Sequence, residues 1–335
     1  MNTEEPRTTY PDFAVEKSGT RQVLSWIAGL LACLALIVAV LHFGSLERII
    51  ELSRSARPVW LLLAALAQAT TYILAALVWR QSLRRSGNSR PLRDLIPLGV
   101  AKLFTDQILP SGGISGTILV IQGLIRRCVP PEVAMATMLV GMISYDIAYL
   151  SVVLGSARIL WWHGRATLPL FIGVGIFVII TVGVSSAILG LRRFGDRPPI
   201  SWLTKLLGMT TFFRSLAEAP TDLLRSPDLL LQTSGLQLGI FMLDAVTLWL
   251  AFKAIGEVPP VWVVVVSFVI ASMAATIGPM PIGLGTFEAG SVGMLTFLGV
   301  SVEAALAGTL LLRGLTFWIP MLPGVWLARR EIGRR

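Results

Sequence analysis

Apolar residues fill long blocks of this chain instead of alternating with polar ones at short spacing. The blocks at 22–43, 58–79, 132–154, 168–191, 231–252 and 303–328 are each long enough to cross about 30 Å of hydrocarbon as a helix. Two further blocks, 92–125 and 261–299, exceed a single crossing, and prolines and glycines interrupt both midway. Proline removes a donor and ends an incoming helix, while glycine admits a tight return. The pattern predicts an all-α polytopic membrane protein, with about six full transmembrane helices and two re-entrant helical hairpins. Trp26, Trp60, Trp79, Trp161, Trp162, Trp249 and Trp326 stand at block ends, where an interfacial belt belongs.

Composition agrees. Of the 335 residues, 54% are hydrophobic and 14% charged, against about 25% charged in a soluble domain. The net charge of +9 comes from short basic clusters between apolar blocks, which fits membrane orientation and argues against nucleic acid as a partner. Cys33 and Cys128 build neither a metal site nor a disulfide framework, and His42 and His163 sit at the ends of apolar segments. No metal or cofactor is expected. Residues 1–20 read as a disordered cytoplasmic tail, and 21–330 as one transmembrane domain.

The basic clusters set the topology. Arg80, Arg84, Arg85, Arg90 and Arg93 precede the first broken block, and Arg126 and Arg127 follow it. A single crossing would put these clusters on opposite faces, against the positive-inside rule. A hairpin entering from the cytoplasm keeps them together. Arg192, Arg193 and Arg197, then Arg329, Arg330, Arg334 and Arg335, place later segments. The second broken block becomes a hairpin entering from outside, with both termini cytoplasmic at the inner membrane. Arg48, Arg54 and Arg57, in a loop assigned outside, run against this scheme.

A shift of 171 residues lays Val129-x-x-Glu132-x-Ala134-x-Ala136 on Val300-x-x-Glu303-x-Ala305-x-Ala307. It also lays Pro110-x-Gly112 on Pro281-x-Gly283 and Ser115 on Thr286. Two units, about 58–154 and 229–325, therefore form an inverted repeat, the plan by which transporters build a central site. Between them, 192–230 reads as an amphipathic cytoplasmic-face linker around Trp202, Leu203, Leu206 and Leu207.

Broken backbone at membrane depth requires burial in protein or a wet cavity. The tips offer Gln107, Ser111, Gly112, Gly113, Ser115 and Thr117 in the first hairpin, and Gly283, Gly285 and Thr286 in the second. Helices restarting there turn free N–H groups inward, toward a phosphate or carboxylate. Ionisable residues inside apolar blocks must face the interior and find partners. Lys102 and Asp106 share a helix face. Asp146, Asp244, Glu288 and Arg313 are the others, with Arg313 expected to pair with Glu288 or Asp244 and to receive phosphate.

Lys102…Asp106-Gln107…Pro110-Ser111-Gly112-Gly113, Arg126-Arg127, the run Pro279-Met280-Pro281-Ile282-Gly283-Leu284-Gly285-Thr286-Phe287-Glu288-Ala289, and Leu312-Arg313-Gly314-Leu315…Trp318-Ile319-Pro320…Gly324 carry a family resemblance. Over nearly all of residues 20–330 the chain resembles the lysylphosphatidylglycerol synthase transmembrane family, the flippase-like domain also found in the bacterial multiple peptide resistance factor. In bifunctional members that domain moves aminoacylated phosphatidylglycerol, and a separate soluble domain makes it. This sequence ends at Arg335, just after its last span, so a stand-alone member without the aminoacyltransferase domain is expected.

The resemblance implies lipid translocation, with a membrane phospholipid or glycolipid as the partner. A separately encoded lipid-synthesising enzyme and a second copy of the chain are further candidate partners. The sequence contains no G-x-x-x-x-G-K-[ST] loop for ATP. Two alternatives stand beside translocation. One is a membrane-embedded lipid-modifying enzyme or accessory subunit working through Asp106 and Glu288; the other is a small-solute or ion transporter on the same repeat.

Overall fold

The computed structural model describes residues 56–108, 114–191, 220–277 and 285–333. The first expected span, the core of the linker and the tip residues Ser111, Gly112, Gly113 and Gly283 lie outside them. The described residues form helices α1 (Pro58–Arg85), α2 (Leu92–Ile108), α3 (Ile114–Ile125), α4 (Pro131–Trp162), α5 (Leu168–Leu191), α6 (Thr221–Leu224), α7 (Pro227–Ala254), α8 (Val261–Ile277), α9 (Thr286–Phe297) and α10 (Val302–Arg313). A π-helical turn, Gly314–Trp318, joins α10 to α11 (Ile319–Gly333).

Local chemistry explains the boundaries. Proline opens α1, α4 and α7, where its missing donor costs nothing and its φ suits the first turn. Ser301 caps α10 by accepting the Ala304 N–H at 3.3 Å. Five of the expected spans are present as helical runs long and apolar enough to cross a membrane. The helices overrun the apolar blocks: α4 continues to Trp162, with the Arg158 guanidinium over both terminal tryptophan rings. α7 starts at Pro227, inside the C-terminal edge of the stretch read as a linker, and α6 before it is a single turn.

α2 and α8 have 17 residues each, and α3 and α9 have 12. At 1.5 Å per residue these helices span about 25 and 18 Å, short of about 30 Å of hydrocarbon. α1 and α7 both have 28 residues. A 171-residue shift carries α4, residues 131–162, onto 302–333, which is α10, the π turn and α11 together. The packing repeats as well. α2 lies against α11 as α8 lies against α4, and α1 meets α4 as α7 meets α10. α1 and α7 pack on each other along the centre.

Three contacts give the two ends of the bundle. Arg90 Nη2 donates to the Cys128 carbonyl at 3.1 Å, so the outer ends of α2 and α3 meet. At the other end, the Arg57 N–H donates to the Ala254 carbonyl at 2.8 Å. There too His163, after α4, stacks on Trp262 of α8 with centroids 4.0 Å apart. α1 and α7 are thus antiparallel, and the two short helix pairs open toward opposite ends. Each end has its own core. Leu83, Leu95, Leu98, Leu124, Val140 and Leu223 pack in one; Tyr149, Phe177, Leu248, Phe252, Val264 and Leu295 pack in the other. Outside the cores, α5 exposes Leu168, Phe171, Ile172, Ile176, Ile179 and Ile180. An apolar surface of that extent is a lipid-facing one.

Candidate functional site

Each short helix pair turns at a carboxylate bound in the same way. In the second, Gly285 precedes α9 with φ 81°, a left-handed conformation that disfavours any side chain. Its N–H donates to Glu288 Oε2 at 2.7 Å. Glu288 Oε1 accepts from Arg313 Nε at 2.6 Å, tying α9 to the last residue of α10. The guanidinium also lies over the Phe287 ring, 4.5 Å from its centroid, a further attraction for a desolvated cation. The expected Arg313 pairing is with Glu288 and not Asp244.

In the first pair, Lys102 Nζ and Asp106 Oδ2 are 2.5 Å apart on one face of α2. Asp106 Oδ1 accepts the Gly116 N–H at 2.8 Å in the first turn of α3. A Cβ on Gly116 would stand 2.6 Å from Asp106 Cγ, so this close seat requires glycine. The chain's own carboxylates therefore take one N–H at each of the two helix starts that the sequence offered to a ligand. The physical reason is that a desolvated carboxylate gains most where donors are already aimed.

A cavity of about 370 Å³ lies between these junctions. Lys102, Asp106, Asp244 and Arg313 all line it, with Glu288 behind Arg313. α1 contributes Gln68, Thr71, Tyr72, Ala75 and Trp79; Phe268, Phe287 and Phe317 close much of the rest. Its size falls in the ordinary range for a small-molecule site. Asp244 enters from α7 and leaves Oδ1 buried without a hydrogen-bond partner.

The other expected residues divide. Ser115 Oγ donates to the Thr105 carbonyl at 3.4 Å, bracing the first turn. Thr286 Oγ1 is buried and unpartnered at the start of α9. Gln107 lies in the last turn of α2. Asp146 does not line the cavity: it faces α5 and accepts a hydrogen bond from Ser185. His163 is on Trp262, far along α4 from the junctions. Gln68 and Tyr72 were not among the residues the sequence singled out. Their signal was available: 68, 72, 75 and 79 recur at helical spacing and form one stripe of α1.

Known proteins place this architecture. A "UPF0104 membrane protein" from Methanothermobacter thermautotrophicus is 22% identical over 313 residues, covering 87% of this chain and 90% of the relative. The family model described as "Lysylphosphatidylglycerol synthase TM region" matches residues 25–324 and so takes in both helix pairs and the residues lining the cavity. This multi-pass helical membrane protein belongs to the lysylphosphatidylglycerol synthase transmembrane-region family.

Proposed function

We propose that the chain moves an anionic or headgroup-modified lipid, or eases its movement, between the leaflets of the inner membrane. The polar head passes through the cavity while the tails stay in the bilayer. In this reading the two short helix pairs are re-entrant and enter from opposite faces. The units 58–154 and 229–325 form an inverted repeat, and both termini are cytoplasmic. Matched helix lengths and the interchangeable packing pattern support the repeat. Arg84, Arg85, Arg90 and Arg126 gather at the end where α2 and α3 open, which supports a cytoplasmic assignment for it.

One observation carries the proposal. In a chain whose outer faces are apolar, charged residues from both halves converge on a single cavity beside two backbone breaks. Charges are costly at that depth and collect on substrate paths. Catalysis is disfavoured by the same geometry. Asp106 and Glu288 each already accept a backbone N–H and a basic side chain, so neither is poised to take a proton from a substrate.

The test is leaflet exchange in proteoliposomes carrying fluorescent phosphatidylglycerol or phosphatidylcholine. Wild type should accelerate exchange of phosphatidylglycerol. Arg313→Ala should lose it, and so should the double variant Arg313→Gln/Glu288→Gln, which keeps a neutral hydrogen-bonded pair. A double variant working at the wild-type rate, or a wild type moving neither lipid, overturns the proposal.

A further inference from the structure

The charged side chains that the described residues bring to the cavity do not balance. Lys102 and Arg313 face Asp106, Glu288 and Asp244: two cations against three carboxylates. The ion pairs use Asp106 and Glu288, which leaves Asp244 outside every ion pair among the described residues. The undescribed tips, 109–113 and 278–284, contain no charged residue. A cavity with one surplus negative charge repels an anionic headgroup, and an unpaired buried carboxylate is costly in itself.

Around Asp244 three oxygens lack hydrogen-bond partners: Asp244 Oδ1, Gln68 Oε1 and the Tyr72 hydroxyl. Gln68, only 7% exposed, lines the same cavity with Oε1 buried and unpartnered. Its orientation is fixed. Thr71 Oγ1 donates to the main-chain carbonyl of Gln68 at 2.7 Å, so it can only accept from Gln68 Nε2, at 3.2 Å. The Nε2 side also reaches Asp244 and Tyr72, and Oε1 is the atom left without a donor. The Tyr72 hydroxyl is also buried without a partner on the cavity wall. Among the described residues, the other titratable groups within electrostatic reach of this cluster or across the cavity are Tyr145 of α4, Lys102 and Asp106 of α2, and Arg313 of α10; α8 brings Phe268 to the wall.

We propose that Asp244, Gln68 and Tyr72 form a site for a small monovalent cation, a proton or a sodium ion, whose entry neutralises the cavity so that an anionic headgroup can follow. Carboxylate, amide carbonyl and hydroxyl oxygens suit a hard cation, and the carboxylate alone suits a proton. Cation and lipid then move together, and a cation gradient drives the lipid. The coupling half of this inference rests on the lipid reading above; the cation site does not.

Two measurements separate them. The first uses wild type and Asp244→Asn in detergent with no transported lipid, followed by infrared difference spectroscopy across pH steps and sodium additions. A protonated-carboxyl band, or a sodium-induced carboxylate shift, should appear in wild type and be absent from Asp244→Asn. The second imposes a pH gradient or a sodium gradient separately on vesicles holding fluorescent phosphatidylglycerol. Wild-type exchange should respond to one gradient, and Asp244→Asn should exchange lipid at a rate indifferent to both. Tyr72→Phe should weaken the response without removing it. A band at Asp244 with no lipid movement upholds the cation site and sinks the lipid reading. Lipid movement indifferent to both gradients, with no band from Asp244, overturns the inference and leaves the lipid reading standing.

Discussion

In the first helix pair, Asp106 is held by Lys102 from four residues earlier on the same helix. In the second, Glu288 is held by Arg313 from 25 residues later, on another helix. The first junction is the more open: side-chain exposures are 30% and 20% for Lys102 and Asp106, against 15% and 9% for Arg313 and Glu288. Lysine brings a compact, hydrated charge, whereas arginine brings a planar fork that also stacks on Phe287. A lysine preceding its carboxylate by four residues is also the weaker order along a helix dipole. The two junctions present similar chemistry with different mechanical consequences. Parting Lys102 from Asp106 disturbs one face of α2. Parting Arg313 from Glu288 removes a tie between α9 and α10 and leaves the buried Ser291–Thr309 hydrogen bond to join them.

The comparison breaks most readily at the tether. Arg313→Ala strands a buried carboxylate and should cost about 3–5 kcal/mol, read as a lower unfolding midpoint in detergent. Adding Glu288→Gln should recover part of that loss; no recovery would mean that the pair does not hold α9 to α10. Next in size is Gly116→Ala, which drives a methyl into the Asp106 carboxyl group and should cost about 1–3 kcal/mol. Gly293→Ala, in a helix position with open space around it, is its neutral control. Lys102→Ala should cost at most about 1 kcal/mol, because the pair is partly solvated. A loss matching that of Arg313→Ala would erase the contrast between the junctions. Smallest of all, Asp146→Asn should leave phosphatidylglycerol exchange at the wild-type rate, because Asp146 bonds to Ser185 away from the cavity.

Much of the fold was legible because the membrane imposes simple rules. Apolar length marked the spans, and the proline–glycine runs fall between helices that pack on each other, α2 on α3 and α8 on α9. Arg313 was legible as a paired residue because a buried guanidinium must find an acid. Its choice of Glu288 over Asp244 was not, since that depends on how α10 rolls against α9. The capping of Gly116 and Gly285 by Asp106 and Glu288 was likewise hidden, because it is set by the angle at which each short pair closes. Asp146 was grouped with the site because charge inside a span attracts a functional reading; a serine partner on α5 leaves no mark in the sequence. Gln68 and Tyr72 went unremarked for the converse reason: uncharged polar groups in a long apolar helix resemble filler until a cavity opens beside them.

The most direct test of the whole arrangement asks whether the two short helix pairs open on opposite faces of the bilayer. Cys128, exposed beside the open end of α2 and α3, serves as one reporter in a Cys33→Ser background. Val258→Cys in a chain also carrying Cys33→Ser and Cys128→Ser serves as the other, at the end shared by Ala254 and Trp262. With a membrane-impermeant maleimide on sealed, oriented vesicles, Cys128 should label from the cytoplasmic face alone and the cysteine at 258 from the opposite face alone. Labelling of both from the same face would contradict opposed entry, and with it the central cavity as a route between leaflets.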